Sequence, residues 1–346
     1  MENKEMVLVT GGTGFVGMQI VYQLLKKGYS VRTTVRNLKS ADKVQETLKN
    51  NGITSFENLS FAEAELTKDE NWEQAIHGCK YVLSVASPVF FHKPKNEEEA
   101  ILPAREGILR ILRFAKKAVV KRVVMTSNFG AIGFTQTDKN RATTEDDWTD
   151  TNNKSVSVYE RSKTLAEKAA WNFIETKGGN LEFATINPVA ILGPSLGAHV
   201  SGSFQLLQNL LTGKLKAVPN IPLNIVDVRD VADLHIRAME SPEANGHRFI
   251  ASADRQISLP EIALLLKNNR KEISEKVSLK KLPDWVLSVS SIFNDQAKEG
   301  VLLTKMNRNV SNQKAKEILN WKPIASQEVA ILEAVDTMIK YNLINK

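Results

Sequence analysis

Short apolar runs alternate with longer stretches whose apolar residues recur every three to four positions, and this alternation organises the first half of the chain. Residues 6–9 read as a buried strand, and a helical pattern starts near Phe15 and ends near Gly28, with Gly11, Gly12, Gly14 and Gly17 at the junction. Strands follow at 31–36, 59–63, 81–85, 122–126 and 181–186. Between them lie helices at 40–50, 72–76, 97–118 and 158–176, and the polar, weakly periodic residues 129–157 read as a long surface loop. Beyond Asn187-Pro188 the elements shorten, punctuated by Gly193, Pro194, Gly197, Gly202, Pro219 and Pro222. Residues 226–239 look like a return to the sheet region, and short strands mix with helices from His247 to the end.

Strands alternating with helices imply an α/β fold, a Rossmann-type doubly wound parallel sheet that takes its ligands at the carboxyl ends of the strands. The change of character after Pro188 adds a smaller C-terminal substrate-binding domain. The division this predicts is 1–190 with 224–246 for the dinucleotide-binding domain, and 191–223 with 247–346 for the smaller one.

Gly12, Gly14 and Gly17 fit G-x-G-x-x-G between a strand and a helix, where a tight turn, close approach of a pyrophosphate and close helix packing each leave no room for a side chain. The candidate phosphate cradle therefore runs from Gly11 through Gly12, Thr13 and Gly14 into Phe15, Val16 and Gly17, where the first helical N–H groups and the helix dipole face an anion. The second strand ends in Arg36, where an NAD site would carry an acid, and Lys43 lies on the next helix. A guanidinium there suits a 2'-phosphate, so the expected cofactor is NADPH/NADP+.

Tyr159 and Lys163 stand four apart and share one helical face. A neighbouring ammonium favours phenolate, which would lower the tyrosine pKa from about 10 and make the hydroxyl a usable general acid for an alkoxide formed by hydride transfer. Lys163 would also hold the nicotinamide ribose.

The 346 residues are 42% hydrophobic, with a net charge of +7. Acids and bases are interspersed, with no basic stripe interleaved with aromatics, so nucleic acid is not an expected partner. No run reaches membrane-spanning length and no apolar leader stands at the amino end, which gives an expectation of a soluble cytoplasmic protein. One cysteine, Cys79, excludes an internal disulfide framework, and the five histidines lack metal-ligand spacing.

At the level of these motifs the chain resembles the extended short-chain dehydrogenase/reductase family, in its dihydroflavonol-4-reductase-like and aldehyde/ketone reductase branch within the NAD-dependent epimerase/dehydratase superfamily. The resemblance rests on residues 10–17, 31–36, 85–88, 123–128, 159–171, 187–194, 226–239 and 311–323. It implies that Arg36 and Lys43 meet the 2'-phosphate, and that Glu65, where aspartate is usual, and Leu66 border the adenine. It also implies that Val85, Ala86 and Ser87 follow the ribose and pyrophosphate, and that Pro188, Val189, Ala190 and Ile191 flank the nicotinamide. Relatives commonly read Thr-Ser-Ser at the end of the fifth strand, whereas this chain reads Thr126-Ser127-Asn128. Asn128 then stands at the position that polarises the carbonyl, by donating from its amide; Ser127 takes that role if the backbone is shifted, and Asn128 otherwise only caps a loop. Phe90, Phe91, Phe129, Phe134 and Phe204 fall near the expected mouth, as substrate surface or as core. Gly133 stands where plant flavonoid reductases carry asparagine, which points to a simpler aldehyde or ketone. The reading is an NADPH-dependent carbonyl reductase acting on a small-molecule substrate. Its alternatives are a nucleotide-sugar or steroid-type epimerase or dehydrogenase, and a non-catalytic NADP-binding sensor.

Overall fold

The computed structural model describes residues 5–87, 97–283, 285–286 and 295–344; Pro88, Phe90 and Phe91 lie outside them. The chain forms β1 (Met6–Val9), α1 (Phe15–Lys26), β2 (Ser30–Val35), α2 (Ala41–Asn50), β3 (Leu59–Glu63), α3 (Trp72–Ile76), β4 (Tyr81–Ser84) and α4 (Glu97–Lys117). There follow β5 (Arg122–Thr126), α5 (Val158–Lys177), β6 (Glu182–Pro188), β7 (Ala190–Leu192), α6 (Phe204–Leu211), β8 (Val218–Pro219), β9 (Pro222–Asp227) and α7 (Val228–Glu240). The last elements are β10 (Arg248–Ala251), β11 (Gln256–Ser258), α8 (Leu259–Asn269), β12 (Lys281–Leu282), α9 (Asp295–Lys305), α10 (Gln313–Ile318) and α11 (Gln327–Lys340).

Seven strands form one sheet in the order β10-β6-β5-β4-β1-β2-β3, and every neighbouring pair is parallel. The period of two along each strand divides the core. Val7, Val9, Leu83, Val124 and Ile186 face α1, α2 and α7, whereas Leu8, Val82, Val123, Met125 and Phe183 face α3, α4 and α5. A second core gathers Leu207 and Leu211 of α6, Ile225 of β9, Ile262 and Leu266 of α8 and Ile331 and Val335 of α11, with Phe15 reaching into it from the start of α1.

Three expectations change. The boundary at 247 cuts the sheet, because β10 pairs in parallel with β6, Arg248 beside Thr185 and Ala251 beside Pro188. The return to the sheet region at 226–239 is made by a helix, α7, which packs against the sheet, while the strand ahead of it, β9, belongs to a separate three-stranded sheet, β11-β9-β7. Nor do residues 129–157 lie wholly at the surface: part of the stretch, including 137–141, is exposed, and part is buried. Phe129, Ala131, Ile132, Thr143, Glu145 and Thr149 are buried, because Glu145 accepts from the Ile250 N–H (2.9 Å) and the Glu145 and Asp147 carbonyls accept from Arg248 (2.6 and 2.8 Å). Those partners lie about a hundred residues downstream, out of reach of any local pattern.

Candidate active site

The turn after β1 is closed by packing that only glycine permits. A Cβ on Gly12 would lie 2.1 Å from Thr33 Oγ1, which already donates to the Val9 carbonyl, and one on Gly17 would lie 2.3 Å from the Gly11 carbonyl. Gly11 N–H donates to Thr34 Oγ1 (3.1 Å) and Gly14 N–H to the Gly11 carbonyl (2.9 Å). Gly14 is the N-cap of α1, and no side chain caps that end. The first N–H groups of α1 are thus left for a ligand, as at an anion-binding helix terminus. Thr10, at the end of β1 and fully buried, accepts from the Val85 and Ala86 N–H groups, both at 2.9 Å, and so fixes the segment after β4 against the glycine turn.

From the helix start a cavity of about 260 Å³ extends past Thr13, Gly14, Phe15, Arg36, Lys43 and His199. Arg36 directly follows β2 and is exposed, as is Lys43. Uncapped N–H groups at one end and two cations at the other are the donor set of a phosphate-bearing nucleotide. Glu65 pairs instead with Lys68 at 3.1 Å, which together with Thr67 holds its carboxyl below the usual range, while its carbonyl accepts from Trp72 Nε1 (3.0 Å). Leu66 lies with Ala86, Ser87 and Lys163 around a small cleft beyond β4.

Ser157 caps α5, which sets Tyr159 in its first turn and Lys163 one turn on. The Lys163 Nζ is 5.5 Å from the centroid of the Tyr159 ring and donates to Ser87 Oγ. The tyrosine is 48% exposed, the lysine 8%. The electrostatics correct the expectation: desolvation by the cleft walls and the Glu160 carboxylate raise the Tyr159 pKa, and burial draws Lys163 down to about 8. The ammonium is itself desolvated and directed at Ser87, so the phenol keeps its proton.

Ser127 and Asn128 separate clearly. The Ser127 hydroxyl is buried and donates to Glu167 Oε2. Glu167, fully buried on α5, also accepts from Asn187 Nδ2 (2.8 Å) on that oxygen and from Arg248 Nε (2.7 Å) and Trp171 Nε1 (3.2 Å) on the other. Asn128 is half-buried; its Oδ1 accepts from the Gly130 N–H and caps the single 3-10 turn Phe129–Ala131. Among the described residues no acceptor engages its Nδ2. Capping therefore uses one end of the amide and leaves the donor end over. Pro188 and Val189 are buried at the end of β6, and Ala190 and Ile191 open β7, paired with Ile225 and Val226.

Of the aromatics expected at the mouth, Phe129 is core, and Phe204 packs edge-on against Phe15 with centroids 5.4 Å apart. Phe134 is half-buried against the first core. A Cβ on Gly133 would lie 2.4 Å from Phe129 Cζ, so asparagine there requires Phe129 to move. Thr10, Glu167 and Asn187 were missed as site-building residues, because their partners are distant in sequence. The only available signal was their position at strand ends or on the face of α5 that carries Lys163.

A wholly parallel sheet whose first strand ends in this turn, with a tyrosine and lysine one helical turn apart after the fifth, is the framework of an extended short-chain dehydrogenase/reductase, a class of oxidoreductase. The chain belongs to the 3-beta hydroxysteroid dehydrogenase/isomerase family, whose sequence model matches residues 8–253. Among its relatives is an anthocyanidin reductase of Vitis vinifera, 35% identical over 278 residues that cover 76% of this chain and 80% of that one. A dihydroflavonol 4-reductase of Hordeum vulgare is 36% identical over 267 residues, 74% and 73% of the two chains. The structure of yeast methylglyoxal/isovaleraldehyde reductase Gre2 complexed with NADPH superposes with a TM-score of 0.79 at 25% identity, covering 98% of this chain and all of that one. Among the described residues no helix is long and apolar enough to cross a membrane.

Proposed function

We propose that this chain reduces an aldehyde or ketone to an alcohol with NADPH. The observation that carries the reading is the Tyr159–Lys163 pair, whose lysine lines the cleft beyond β4, together with a second cavity lined by Arg36, Lys43 and the open start of α1. When bound, the dinucleotide supplies the hydride for the carbonyl carbon. Gly11 to Gly17 would take its pyrophosphate, Arg36 and Lys43 its 2'-phosphate, Val85 to Ser87 its ribose, and Pro188 to Ile191 would flank its nicotinamide. A phenol that keeps its proton at neutral pH is the form a general acid requires, and Tyr159 Oη gives that proton to the oxygen of the reduced carbonyl. Lys163, an ammonium below about pH 8, stabilises the phenolate left behind and donates to sugar hydroxyls. Asn128 Nδ2 donates to the carbonyl oxygen as charge develops on it. Relatives named as reductases favour net reduction over epimerisation, and the intact tyrosine and lysine favour catalysis over sensing.

NADPH consumption measured against a panel of aldehydes, ketones and dihydroflavonols tests the reading. Tyr159→Phe should lose at least about a hundredfold in kcat, the scale of general acid catalysis, with the midpoint of thermal unfolding and NADPH affinity unchanged. Arg36→Asp should invert the ratio of kcat/KM for NADPH over NADH; an unchanged ratio removes Arg36 from phosphate recognition.

A further inference from the structure

Arg308 lies in the segment between α9 and α10, clamped on two sides. On one side the Asn307 N–H donates to the Gln136 carbonyl (2.8 Å), Asn307 Nδ2 donates to the carbonyls of Asp138 (2.8 Å) and Arg141 (2.6 Å), and the Thr143 N–H donates to the Asn309 carbonyl (2.8 Å). This joins the segment to the stretch that begins at Asn128. On the other side Asn224 Nδ2 donates to the Arg308 carbonyl (3.2 Å). Asn224 immediately precedes Ile225, which pairs with Ala190 in the segment expected at the nicotinamide. Arg308 is thereby held between the stretch that follows Asn128 and the strand β9, which pairs with β7.

Its side chain is charged, half-buried and unsatisfied. Nε and Nη2 are both cut off from solvent, and neither has a partner among the described residues; Asn224 Oδ1 is a further orphan at the same place. Nε and Nη2 form one edge of the guanidinium, the fork that meets two oxygens of one anion side by side. Burial, with no carboxylate among the described residues to offset it, draws the pKa of Arg308 down to about 10. An unpaired charge left out of water is costly unless a partner arrives from outside. The cofactor phosphates have their own donors, at the start of α1 and at Arg36 and Lys43, so this fork is surplus to the dinucleotide.

On the reading of the chain as a carbonyl reductase, we propose that Arg308 is a specificity-determining residue that takes the anionic end of the substrate, making this enzyme a reductase of carbonyl compounds that carry a carboxylate. The bidentate edge fits two carboxylate oxygens; a phosphate monoester presents the same edge, and the test separates the two.

The probes are straight-chain ω-oxo carboxylates of increasing length, each against its methyl ester, and an aldehyde phosphate monoester against its parent alcohol. The wild-type enzyme with NADPH should favour at least one acid over its ester by about tenfold or more in kcat/KM, the scale of a charge-assisted hydrogen bond. Arg308→Met should abolish that preference through KM while leaving kcat/KM for the esters within about twofold, and Arg308→Lys should restore part of it. Because Nε and Nη2 have no partner among the described residues, Arg308→Met should unfold at a temperature no lower than the wild type. Acids and esters used equally by the wild type, equal losses on both in Arg308→Met, or a destabilised Arg308→Met would overturn the assignment. A preference confined to the phosphate monoester overturns the carboxylate and keeps the anion site. Absence of turnover on every carbonyl defeats the reductase reading alone. The same acids and esters, titrated by tryptophan fluorescence into the NADP+-loaded protein, still judge Arg308: acid binding lost in Arg308→Met sustains the site, and acid binding unchanged or absent sinks it.

Discussion

Asn128 Oδ1 caps the turn at Phe129–Ala131, which leaves Nδ2 for the second duty proposed for this side chain, donation to the carbonyl oxygen. Ser127 is committed to Glu167 beneath the reaction centre. Asn128→Ala should therefore cost about 3 kcal/mol of transition-state stabilisation, the scale of a lost oxyanion donor. Ser127→Ala should spare kcat more and lower the unfolding midpoint instead, because it leaves a buried carboxylate short of a donor. Steady-state kinetics beside thermal melts separate the two; a collapse in kcat on Ser127→Ala with Asn128→Ala near normal would reverse the assignment. Residues whose placement depends on spacing were legible in the sequence. Gly12 and Gly17 sit at fixed offsets from a strand end, and Tyr159 and Lys163 one turn apart. The orientation of Ser127 was not legible, because its acceptor lies forty residues on, on another element.

At the scale of elements, α7 and β5 are joined by buried polar contacts that hydrophobic periodicity does not register. Arg122, at the start of β5, donates to the carbonyls of Ala238 (2.7 Å) and Met239 (3.2 Å) and so caps the last turn of α7. His235, in the middle of that helix and fully buried, joins its Nδ1 to the Val231 carbonyl and its Nε2 to Thr126 Oγ1, both at 2.7 Å. The carbonyl requires a proton on Nδ1, so Nε2 accepts from the threonine just ahead of Ser127 and Asn128. Burial holds the imidazole pKa down to about 4, against 6.5 in the unfolded chain. Between these values the unfolded state takes up a proton that the folded state refuses, so stability present above pH 6.5 is lost as pH falls toward 4. The loss should approach about 3 kcal/mol. Urea unfolding at pH 7, 5.5 and 4.5 should show this slope in the wild type and a flatter one in His235→Gln; parallel slopes would exclude His235. The sequence brought residues 226–239 back to the sheet region, where α7 packs, but did not tell the helix from a strand there, since a helix buried on one face and a strand-helix return share the same apolar positions.

Across the whole molecule the dinucleotide-binding domain is stitched together by a buried ion pair. Arg248 on β10 donates to Glu167 on α5 and to the carbonyls of Glu145 and Asp147, with its guanidinium carbon 3.7 Å from the centroid of Trp148. Removing one partner strands the other, so Arg248→Met should destabilise by about 3 kcal/mol or more. Adding Glu167→Gln should recover part of that loss. Chemical denaturation of the four members of this cycle checks both statements, and strictly additive losses would show the pair to be uncoupled. The chain order of these groups also matters during synthesis. A nascent chain of 190 residues already contains Tyr159, Lys163, Asn128 and the glycine turn, and N-terminal domains ordinarily fold first as they emerge. Here the sheet lacks its edge strand, and Glu167 its cation, until Arg248 to Ala251 have been made. The part of the molecule that holds the proposed site must therefore wait for a strand made about sixty residues later before its sheet can close.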